Sequence, residues 1–365
     1  MVMRGKAGWP GAPEGIKAVI RVGIIGTGIM ANGHVQAYQR MRGVKVTACC
    51  DIVRKKAAAF ARQYEIPGCY TDYQEMLARE ELDGVSVVTS DAAHAPVSIA
   101  ALRGGIAVLC EKPLARTTRQ AGQMVREARK AKVINMINFT YRESSALTKA
   151  RELVQGGALG ELRHVEASYL QTWLSSGYWG DWKKSSAWLW RMSKKTGGGT
   201  LEDIGCHILD LATFVGGDIK RIHCELKSFD KGVKNNRYGG YVLDAHDSAV
   251  MTVEFAGGAT GAISATRWAA GRLNSVALKV YGTKGGLEID LDKSWTSMEV
   301  CLGADLDRCR WQRMSCGPRD SIYRRFMRSI RTGRTEAPTF ADGARIQDYM
   351  EKCYIAHRTR KQVII

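Results

Sequence analysis

Apolar and polar residues follow two different patterns along the chain. From Ile20 to about Asn138, β-branched runs such as IRVGII, VKVTACC and IAVLC alternate with segments of helical period. Strands separated by helices predict a parallel sheet with helices on its faces. Beyond Asn138, one helix near residues 144–155 precedes longer segments such as LRHVEASYLQTWL, where polar and apolar residues alternate. That alternation predicts a sheet with one covered face.

The change in the pattern of apolar and polar residues divides the chain into three parts. Residues 1–19 are rich in Gly, Pro and Ala without periodicity and are interpreted as a flexible tail. Residues 20–139 carry the strand and helix alternation, and residues 140–365 carry the second pattern. The chain is therefore predicted to be an α/β protein of two domains, with a boundary near residue 140.

A glycine-rich turn ends the first strand. In IRVGIIGTG, followed by a helical stretch from residue 29 to 40, the G-x-G-x-x-G/A positions are filled by Gly26, Gly28 and Ala31. The first glycine permits the turn, the second lets the backbone approach a diphosphate, and the small third residue lets helix pack on strand. This predicts a Rossmann dinucleotide-binding domain. The predicted cofactor contacts in the turn are Gly26, Thr27, Gly28, Ile29 and Met30.

An acidic residue at the end of the second strand bears on the choice of cofactor. Asp51 follows Gly26 by 25 residues, close to the spacing at which a carboxylate meets the adenosine ribose diol, which favours NAD. Arg54 follows it, and a guanidinium there could bind a 2′-phosphate, so NADP stays open. The alternative is that Asp51 only caps a helix.

Further cofactor contacts are expected where later strands end, because ligands of parallel sheets bind beyond the carboxyl ends of the strands. Thr89 and Ser90 follow one strand, and Glu111 and Lys112 follow the next. His94 opens the helix after Ser90 and is interpreted as a first-turn residue beside the cofactor rather than a reacting group.

Composition excludes several classes of protein. The formal net charge of +18 favours polyanions weakly, but no nucleic-acid-binding module accompanies it, so no specific nucleic-acid partner is predicted. No apolar run is long enough to span a bilayer, which predicts no membrane partner. The ten cysteines include no C-x-x-C pair, which favours reduced thiols and a cytoplasmic location. No ligand spacing around His207 predicts a metal site.

By its motifs the chain resembles the glucose-fructose oxidoreductase, inositol dehydrogenase and rhizopine-catabolism (Gfo/Idh/MocA) family. The motifs are GIIGTGIMANGH, CEKPLA and GGGTLEDIGCHILDL, and the resemblance extends over about residues 20–365. It implies a Rossmann domain followed by an α/β domain whose open, mostly antiparallel sheet helps form a homo-oligomer, either tetramer or dimer. Segments such as VEASYLQTWL and WLWR resemble the levoglucosan dehydrogenase and inositol dehydrogenase branch.

The resemblance places catalytic roles on Lys112 of the Glu-Lys-Pro motif and on Asp203 and His207 of the D-x-x-x-H motif. Oxidation of an alcohol needs a base for the hydroxyl proton, and histidine suits that role. With i, i+4 spacing on a helix, Asp203 is expected to orient the imidazole, while Lys112 offsets developing alkoxide charge. The alternative makes Asp203 a helix cap and His207 a satisfied core histidine.

Two regions supply candidate substrate contacts besides these three residues. The family pattern brings Tyr141 and Arg142 into the cleft between the domains, with ordinary interdomain packing as the alternative. Five tryptophans cluster between residues 173 and 190, and flat indoles stack on the C–H faces of sugar rings. Trp173 and Trp190 are taken as candidates, while packing of a long loop, or a subunit interface, explains some of the five equally well.

Together these features predict an NAD(P)-dependent dehydrogenase. The expected substrate is a secondary hydroxyl of a sugar, anhydrosugar, glycoside or inositol. A redox-cycling glycosidase, which retains its NAD, is the close enzymatic alternative. A nucleotide-binding sensor without turnover is the alternative from another class.

Overall fold

The computed structural model describes residues 19–184 and 186–365. Of the tail predicted over residues 1–19, only Val19 falls within the described residues. Two large sheets and one short hairpin organise these ranges. No helix within them is both long and apolar enough to cross a membrane.

The first sheet is parallel throughout. Its strands are β1 (Ile20–Ile25), β2 (Val44–Cys50), β3 (Gly68–Tyr70), β4 (Gly84–Val87), β5 (Ala107–Cys110) and β6 (Asn135–Ile137). The connecting helices are α1 (Ile29–Gln39), α2 (Arg54–Tyr64), α3 (Tyr73–Arg79), α4 (Asp91–Arg103) and α5 (Thr118–Ala131). The strand order is β3-β2-β1-β4-β5-β6, which is the Rossmann order. Because the order reverses between β1 and β4, a crevice opens beyond the carboxyl ends of those strands.

The second sheet is open and mostly antiparallel. Its strands are β7 (Leu162–Gln171), β8 (Ile219–Lys227), β11 (Ser248–Phe255), β12 (Thr260–Thr266), β13 (Asn274–Gly282), β14 (Gly285–Asp290), β15 (Ser297–Leu302), β16 (Gln312–Ser315) and β17 (Val363–Ile364). They lie in the order β16-β15-β14-β13-β7-β12-β11-β8-β17. Only the β7 and β12 neighbours run parallel. The separate hairpin is β9 (Arg237–Tyr238) with β10 (Tyr241–Val242).

Helices cover one face of this second sheet. They are α6 (Ser145–Gln155), α8 (Cys206–Gly216) and α10 (Phe340–Thr359), while α7 (Ser186–Leu189) lies in the loop after β7. In β11 the residues that face the helices, such as Met251 and Phe255, are buried, whereas the intervening Val250 and Thr252 are exposed. The sheet therefore has the covered and the open face that its polar–apolar alternation predicts.

The last two helices return to the first domain. In α9 (Ile322–Thr332), the side chains of Ile322, Phe326 and Met327 share an apolar core with β1. Helix α10 packs on both α5 and β8 and so connects the two sheets. The domain boundary near residue 140 stays a prediction. The structure adds that α9 and α10, although they come late in the chain, pack on elements of the first domain.

Candidate active site

The glycine turn after β1 has the geometry of a nucleotide cradle. Gly26 has a φ of +94°, and a Cβ there would lie 2.5 Å from the Val88 carbonyl oxygen, so only glycine fits. A Cβ on Gly28 would meet nothing within 4 Å, which leaves open space before α1. Gly28 precedes α1 without a side-chain cap, so the first N–H groups of the helix stay available to an anion. Ala31 is fully buried, as close helix packing requires.

The other predicted residues of the turn surround this opening. Ile29 and Met30 form the first turn of α1 and are exposed, Ile29 to 73%. The Asp51 carboxylate accepts hydrogen bonds from the Thr27 backbone N–H at 3.0 Å and the Thr27 hydroxyl at 2.9 Å. It also accepts one from the Val53 N–H at 2.9 Å. Asp51 therefore joins the end of β2 to the glycine turn, while Arg54 is exposed at the start of α2.

The residues after β4 divide into an exposed part and a buried part. Ser90 is exposed and precedes α4, and Thr89 is half-buried beside it. His94 is buried, with Nδ1 2.8 Å from the Pro113 carbonyl oxygen and Nε2 3.1 Å from that of Thr89. Carbonyls only accept, so a neutral imidazole donates to one of them at a time. Burial lowers the pKa of His94, and the ring holds the β4 end against the Glu-Lys-Pro turn.

Glu111 lies inside a polar cluster at the end of β5. Its Oε1 accepts from Asn138 Nδ2 at 2.5 Å and lies 2.9 Å from His34 Nε2, while Oε2 accepts from the Lys112 N–H at 3.2 Å. Burial by itself would raise the pKa of Glu111, but the His34 contact and the Asn138 hydrogen bond outweigh it and lower the pKa to about 2. The buried carboxylate thus connects α1 with the backbone of Lys112.

Lys112 crosses from the first domain to the second. Its Nζ donates to the Asp203 carbonyl oxygen at 2.7 Å and lies 3.4 Å from Asp203 Oδ1. Burial alone would lower the pKa of the ammonium, but the Asp203 charge outweighs burial and raises it. Lys112 is therefore a cation poised to donate a hydrogen bond.

The Asp203 carboxylate is held by cations. Arg267 Nη2 donates to Asp203 Oδ2 at 2.9 Å, and Arg191 Nε lies 3.6 Å from the same oxygen. Burial opposes ionisation, but Lys112, Arg191 and Arg267 outweigh it and hold the pKa of Asp203 well below its usual range. Arg267 is fully buried and also donates to the Arg191 and Gly199 carbonyl oxygens, so it fixes the turn that precedes Asp203.

His207 lies beside this cluster as a neutral imidazole. Its ring is buried edge-on against Tyr141, with ring centroids 5.0 Å apart, and near Phe139 and Tyr169. Burial, and then the nearby Lys112 charge, lower the pKa of His207 to about 3. A neutral imidazole is the form that can accept a proton.

The Asp203 carboxylate, which was expected to orient the His207 imidazole, does not form a hydrogen bond with it. The structure describes both residues, and no hydrogen bond joins the carboxylate to the ring, whose buried Nδ1 has no partner. The reason is local geometry, because Leu201–Gly205 is a π-helix whose hydrogen bonds run from i to i+5. The i, i+4 register on which the expectation rested does not hold there, and the carboxylate pairs with Lys112 and Arg267 instead.

Tyr141 and Arg142 are adjacent where the chain passes between the two domains, but their side chains point in different directions. Tyr141 lies at the cluster, where its hydroxyl donates to Tyr169 Oη at 2.7 Å and accepts from Asn274 Nδ2 at 2.9 Å. The Arg142 side chain is buried in a bidentate pair with Asp210, at 2.8 and 2.5 Å. Tyr141 therefore belongs to the site, whereas Arg142 fits the packing alternative.

The two candidate tryptophans also differ. Trp173 is only 2% exposed, stacks on Trp188 and donates from its indole N–H to Gln171 Oε1 at 3.0 Å. Trp190 is partly exposed and packs on Gly197, where a Cβ would lie 2.3 Å from the ring. Trp173 is part of the loop's core, and Trp190 is on its surface.

Sequence reasoning missed several residues of the site. Arg267 and Arg191 bind Asp203, and His34 and Asn138 bind Glu111. Trp295 is 40% exposed, and its ring is tilted against Tyr141 with centroids 5.6 Å apart. The sequence carried a signal for two of these residues. Arg267 is a charged residue at the end of an apolar strand segment, in ATRW, and Trp295 is an isolated aromatic residue in the KSWTS turn.

Comparison with known proteins gives the same class. Residues 20–139 match the oxidoreductase family with an NAD-binding Rossmann fold, and residues 147–288 match the GFO/IDH/MocA C-terminal domain. Levoglucosan dehydrogenase of Pseudarthrobacter phenanthrenivorans is 26% identical over 90% of this chain and 93% of its own. D-glucoside 3-dehydrogenase of Escherichia coli is 32% identical over 66% of this chain and 68% of its own.

A solved structure agrees over nearly the whole length. Levoglucosan dehydrogenase in complex with NADH and levoglucosan is 25% identical, with a TM-score of 0.84 over 95% of this chain and 99% of that one. The fold and the cradle thus define an NAD-binding oxidoreductase. The chain belongs to the GFO/IDH/MocA oxidoreductase family.

Proposed function

We propose that the chain oxidises a secondary hydroxyl of a sugar, anhydrosugar, glycoside or inositol to the ketone, with NAD as the hydride acceptor. The observation that carries the proposal is the meeting of Lys112 from the first domain with Asp203 and His207 from the second. Relatives named for levoglucosan, D-glucoside and inositol oxidation support the substrate class.

The cradle fits NAD by its own geometry. The open space at Gly28 and the uncapped start of α1 suit the diphosphate. The Asp51 carboxylate at the end of β2 suits the ribose diol and disfavours a 2′-phosphate. When bound, the nicotinamide supplies the hydride acceptor.

The chain's own residues handle the proton. His207, kept neutral by burial, accepts the hydroxyl proton as the carbon is oxidised. The Lys112 ammonium donates a hydrogen bond to the same oxygen and stabilises its developing negative charge. Asp203, held by Arg267, keeps Lys112 charged and aimed across the domain boundary.

A substrate panel tests the proposal. Purified protein is incubated with NAD or NADP and with glucosides, anhydrosugars, inositols and their aryl glycosides, while nicotinamide absorbance is followed. Accumulation of NADH with one of these compounds is expected. Cleavage of an aryl glycoside with catalytic NAD and no NADH release would instead identify the redox-cycling glycosidase, and binding of NADH without any turnover would identify a sensor.

We further infer that the protein is a cytoplasmic homo-oligomer, tetramer or dimer. The open face of the second sheet exposes Val250 and leaves surface for a second copy. All ten cysteines are free thiols, as a reducing compartment would keep them. Light scattering that gives the monomer mass of 40.2 kDa would contradict the oligomer.

A further inference from the structure

The turn over residues 197–200 fixes where the segment of Asp203 begins. The Gly199 carbonyl oxygen accepts from the Asp203 N–H at 3.1 Å and from Arg267 Nη2 at 3.3 Å. Asp203 in turn supplies the carbonyl oxygen that accepts from Lys112 Nζ at 2.7 Å and a carboxylate oxygen 3.4 Å from it. A shift of this turn therefore moves the groups that hold the Lys112 ammonium.

Glu202 holds the turn from its helical side. Glu202 Oε2 accepts from the Gly199 N–H at 2.7 Å, so both backbone polar groups of Gly199 have partners. Gly198 has a φ of +63°, and a Cβ there would lie 2.8 Å from the Glu202 carboxyl carbon, so glycine leaves room for the carboxylate. The other oxygen, Oε1, accepts from the Tyr354 hydroxyl at 2.5 Å. Glu202 thus links the turn to α10.

Tyr354 belongs to a helix that contacts both domains. Helix α10 packs on α5 and on β8, and its Glu351 side chain accepts from the Thr118 N–H at the start of α5 at 3.3 Å. Burial, and then the Glu202 charge, raise the pKa of Tyr354, so its hydroxyl stays protonated and donates. The carboxylate and the hydroxyl are engaged with each other and with Gly199, which gives them a part in holding the site rather than in proton transfer.

We propose that Glu202 and Tyr354 are positioning residues of the dehydrogenase, which hold Asp203 against Lys112 through their hydrogen bonds to each other and to the turn. This inference rests on the proposed dehydrogenase function and adds two residues on which its rate depends. A misplacement of about 1 Å at a reacting group can lower a rate by about 100-fold. The loss is expected in kcat, because the nucleotide cradle lies on the other domain.

Tyr349 provides the matched control on the same helix. Its hydroxyl accepts from the Ile219 N–H at 3.2 Å and lies 3.4 Å from Asp218 Oδ1, beyond the end of α8 opposite to His207. Tyr349 is only 2% exposed, whereas Tyr354 is half-buried. Tyr349→Phe therefore removes a buried, hydrogen-bonded hydroxyl from α10 and leaves the Glu202 contact in place.

The two variants are compared in kcat, KM for NAD, Kd of NADH and denaturant midpoint, with the best substrate of the panel. Tyr354→Phe should lower kcat by about 3- to 10-fold and change KM for NAD and Kd of NADH by less than about twofold. Tyr349→Phe should lower the denaturant midpoint at least as much and keep kcat within about twofold of wild type. That split separates positioning from stability, because a merely structural role would move both variants together.

A second series tests the Glu202 side chain. Glu202→Leu removes both acceptors and should lower kcat by about 10- to 100-fold. Glu202→Gln should recover most of that loss, because its amide oxygen can still accept from the Gly199 N–H. Adding Tyr354→Phe to Glu202→Leu should cause no further loss, since the hydroxyl then has no carboxylate to hold.

Several results would overturn the inference while the dehydrogenase function stands. These are wild-type kcat in Tyr354→Phe, equal kcat losses in Tyr354→Phe and Tyr349→Phe, additive losses in the double variant, or a loss of NADH binding that parallels the loss of kcat. A failure of every sugar to reduce NAD in wild-type protein that binds NADH would instead defeat the proposed function, and this inference with it.

Discussion

Arg267 Nη2 lies 2.9 Å from Asp203 Oδ2, so a fully buried guanidinium and a site carboxylate, 64 residues apart, form one ion pair. The same guanidinium binds the carbonyl oxygens of Arg191 and Gly199. The pair therefore sets the position of the carboxylate that faces Lys112, and Arg267 acts as a positioning residue.

Replacing Arg267 should damage turnover more than cofactor binding. In Arg267→Met, Asp203 loses its nearest charged partner, at 2.9 Å, and the carboxylate that faces Lys112 is held less precisely, so kcat should fall by about 10- to 100-fold. The Kd of NADH, measured by nicotinamide fluorescence, should change by less than about threefold, because the cradle lies on the other domain. Arg267→Lys should recover part of kcat by restoring the charge. A variant that loses NADH binding and turnover together would indicate a structural role only.

The pH profile should reveal the buried state of His207. A base must be neutral to act, and activity falls as pH drops through its pKa. Since burial and Lys112 lower the pKa of His207 to about 3, kcat/KM for oxidation should show no acidic limb near 6.5 and should stay level down to about pH 5. His207→Asn should lower kcat by about 100- to 10,000-fold. A limb near 6.5 in the wild type would contradict this environment.

The Asp51 carboxylate should set the preference for NAD. Asp51→Ser keeps a small polar side chain but removes the charge beside the Thr27 N–H, and Arg54 stays available for a 2′-phosphate. The ratio of kcat/KM for NAD to that for NADP should fall by at least about tenfold. An unchanged ratio would mean that Asp51 only supports the turn.

Arg142 should matter for stability rather than for sugar binding. It is buried in a bidentate pair with Asp210, and removal of one partner of such a pair costs about 3–5 kcal/mol of unfolding free energy. Arg142→Met should therefore lower the denaturant midpoint and leave KM for the sugar unchanged. Arg103→Met is the matched control, because the Arg103 pair with Glu127 lies on the surface, where solvent screens it, and its loss should leave the denaturant midpoint nearly unchanged. A raised KM for the sugar in folded Arg142→Met would instead indicate that Arg142 contacts the substrate.

Trp295 is expected to contact the sugar ring. It is 40% exposed beside Tyr141, while Trp311, which is 39% exposed, packs against Tyr281 of β13 instead. Trp295→Ala should raise KM for a pyranoside by about tenfold, and Trp311→Ala should not, because only the first removes a stacking surface near the site. Equal effects of the two changes would contradict this role.

The parts of the site that depend on short-range sequence patterns could be predicted, and the parts that depend on contacts between distant elements could not. The glycine turn and Asp51 depend on spacings within one strand–helix–strand unit, from β1 through α1 to the end of β2, and the sequence carries those spacings. The pairing of Arg267 with Asp203 depends on how β12 and the π-helix meet, and no local pattern records that. Likewise, Tyr141 and Arg142 are adjacent in sequence, but a 3₁₀ turn directs one to His207 and the other to Asp210.

The two sheets were predictable for the same reason. Buried runs alternating with helices indicate a parallel sheet, and the alternation in segments such as SAVMTVEF indicates a half-covered one. The packing of α9 on β1 was not predictable. The apolar stripe of Ile322, Phe326 and Met327 indicates that the helix packs against an apolar core, but it does not indicate which domain supplies that core.

The account depends most on the Lys112 ammonium acting at the same oxygen as His207. The most direct measurement compares wild type with Lys112→Ala in one preparation, recording NADH binding by fluorescence and NADH formation from the best substrate of the panel. We predict that NADH binding is kept within about threefold while kcat falls by at least about 100-fold, the usual loss when a donor to a developing oxyanion is removed. Turnover by Lys112→Ala within a few-fold of wild type would contradict the proposed chemistry.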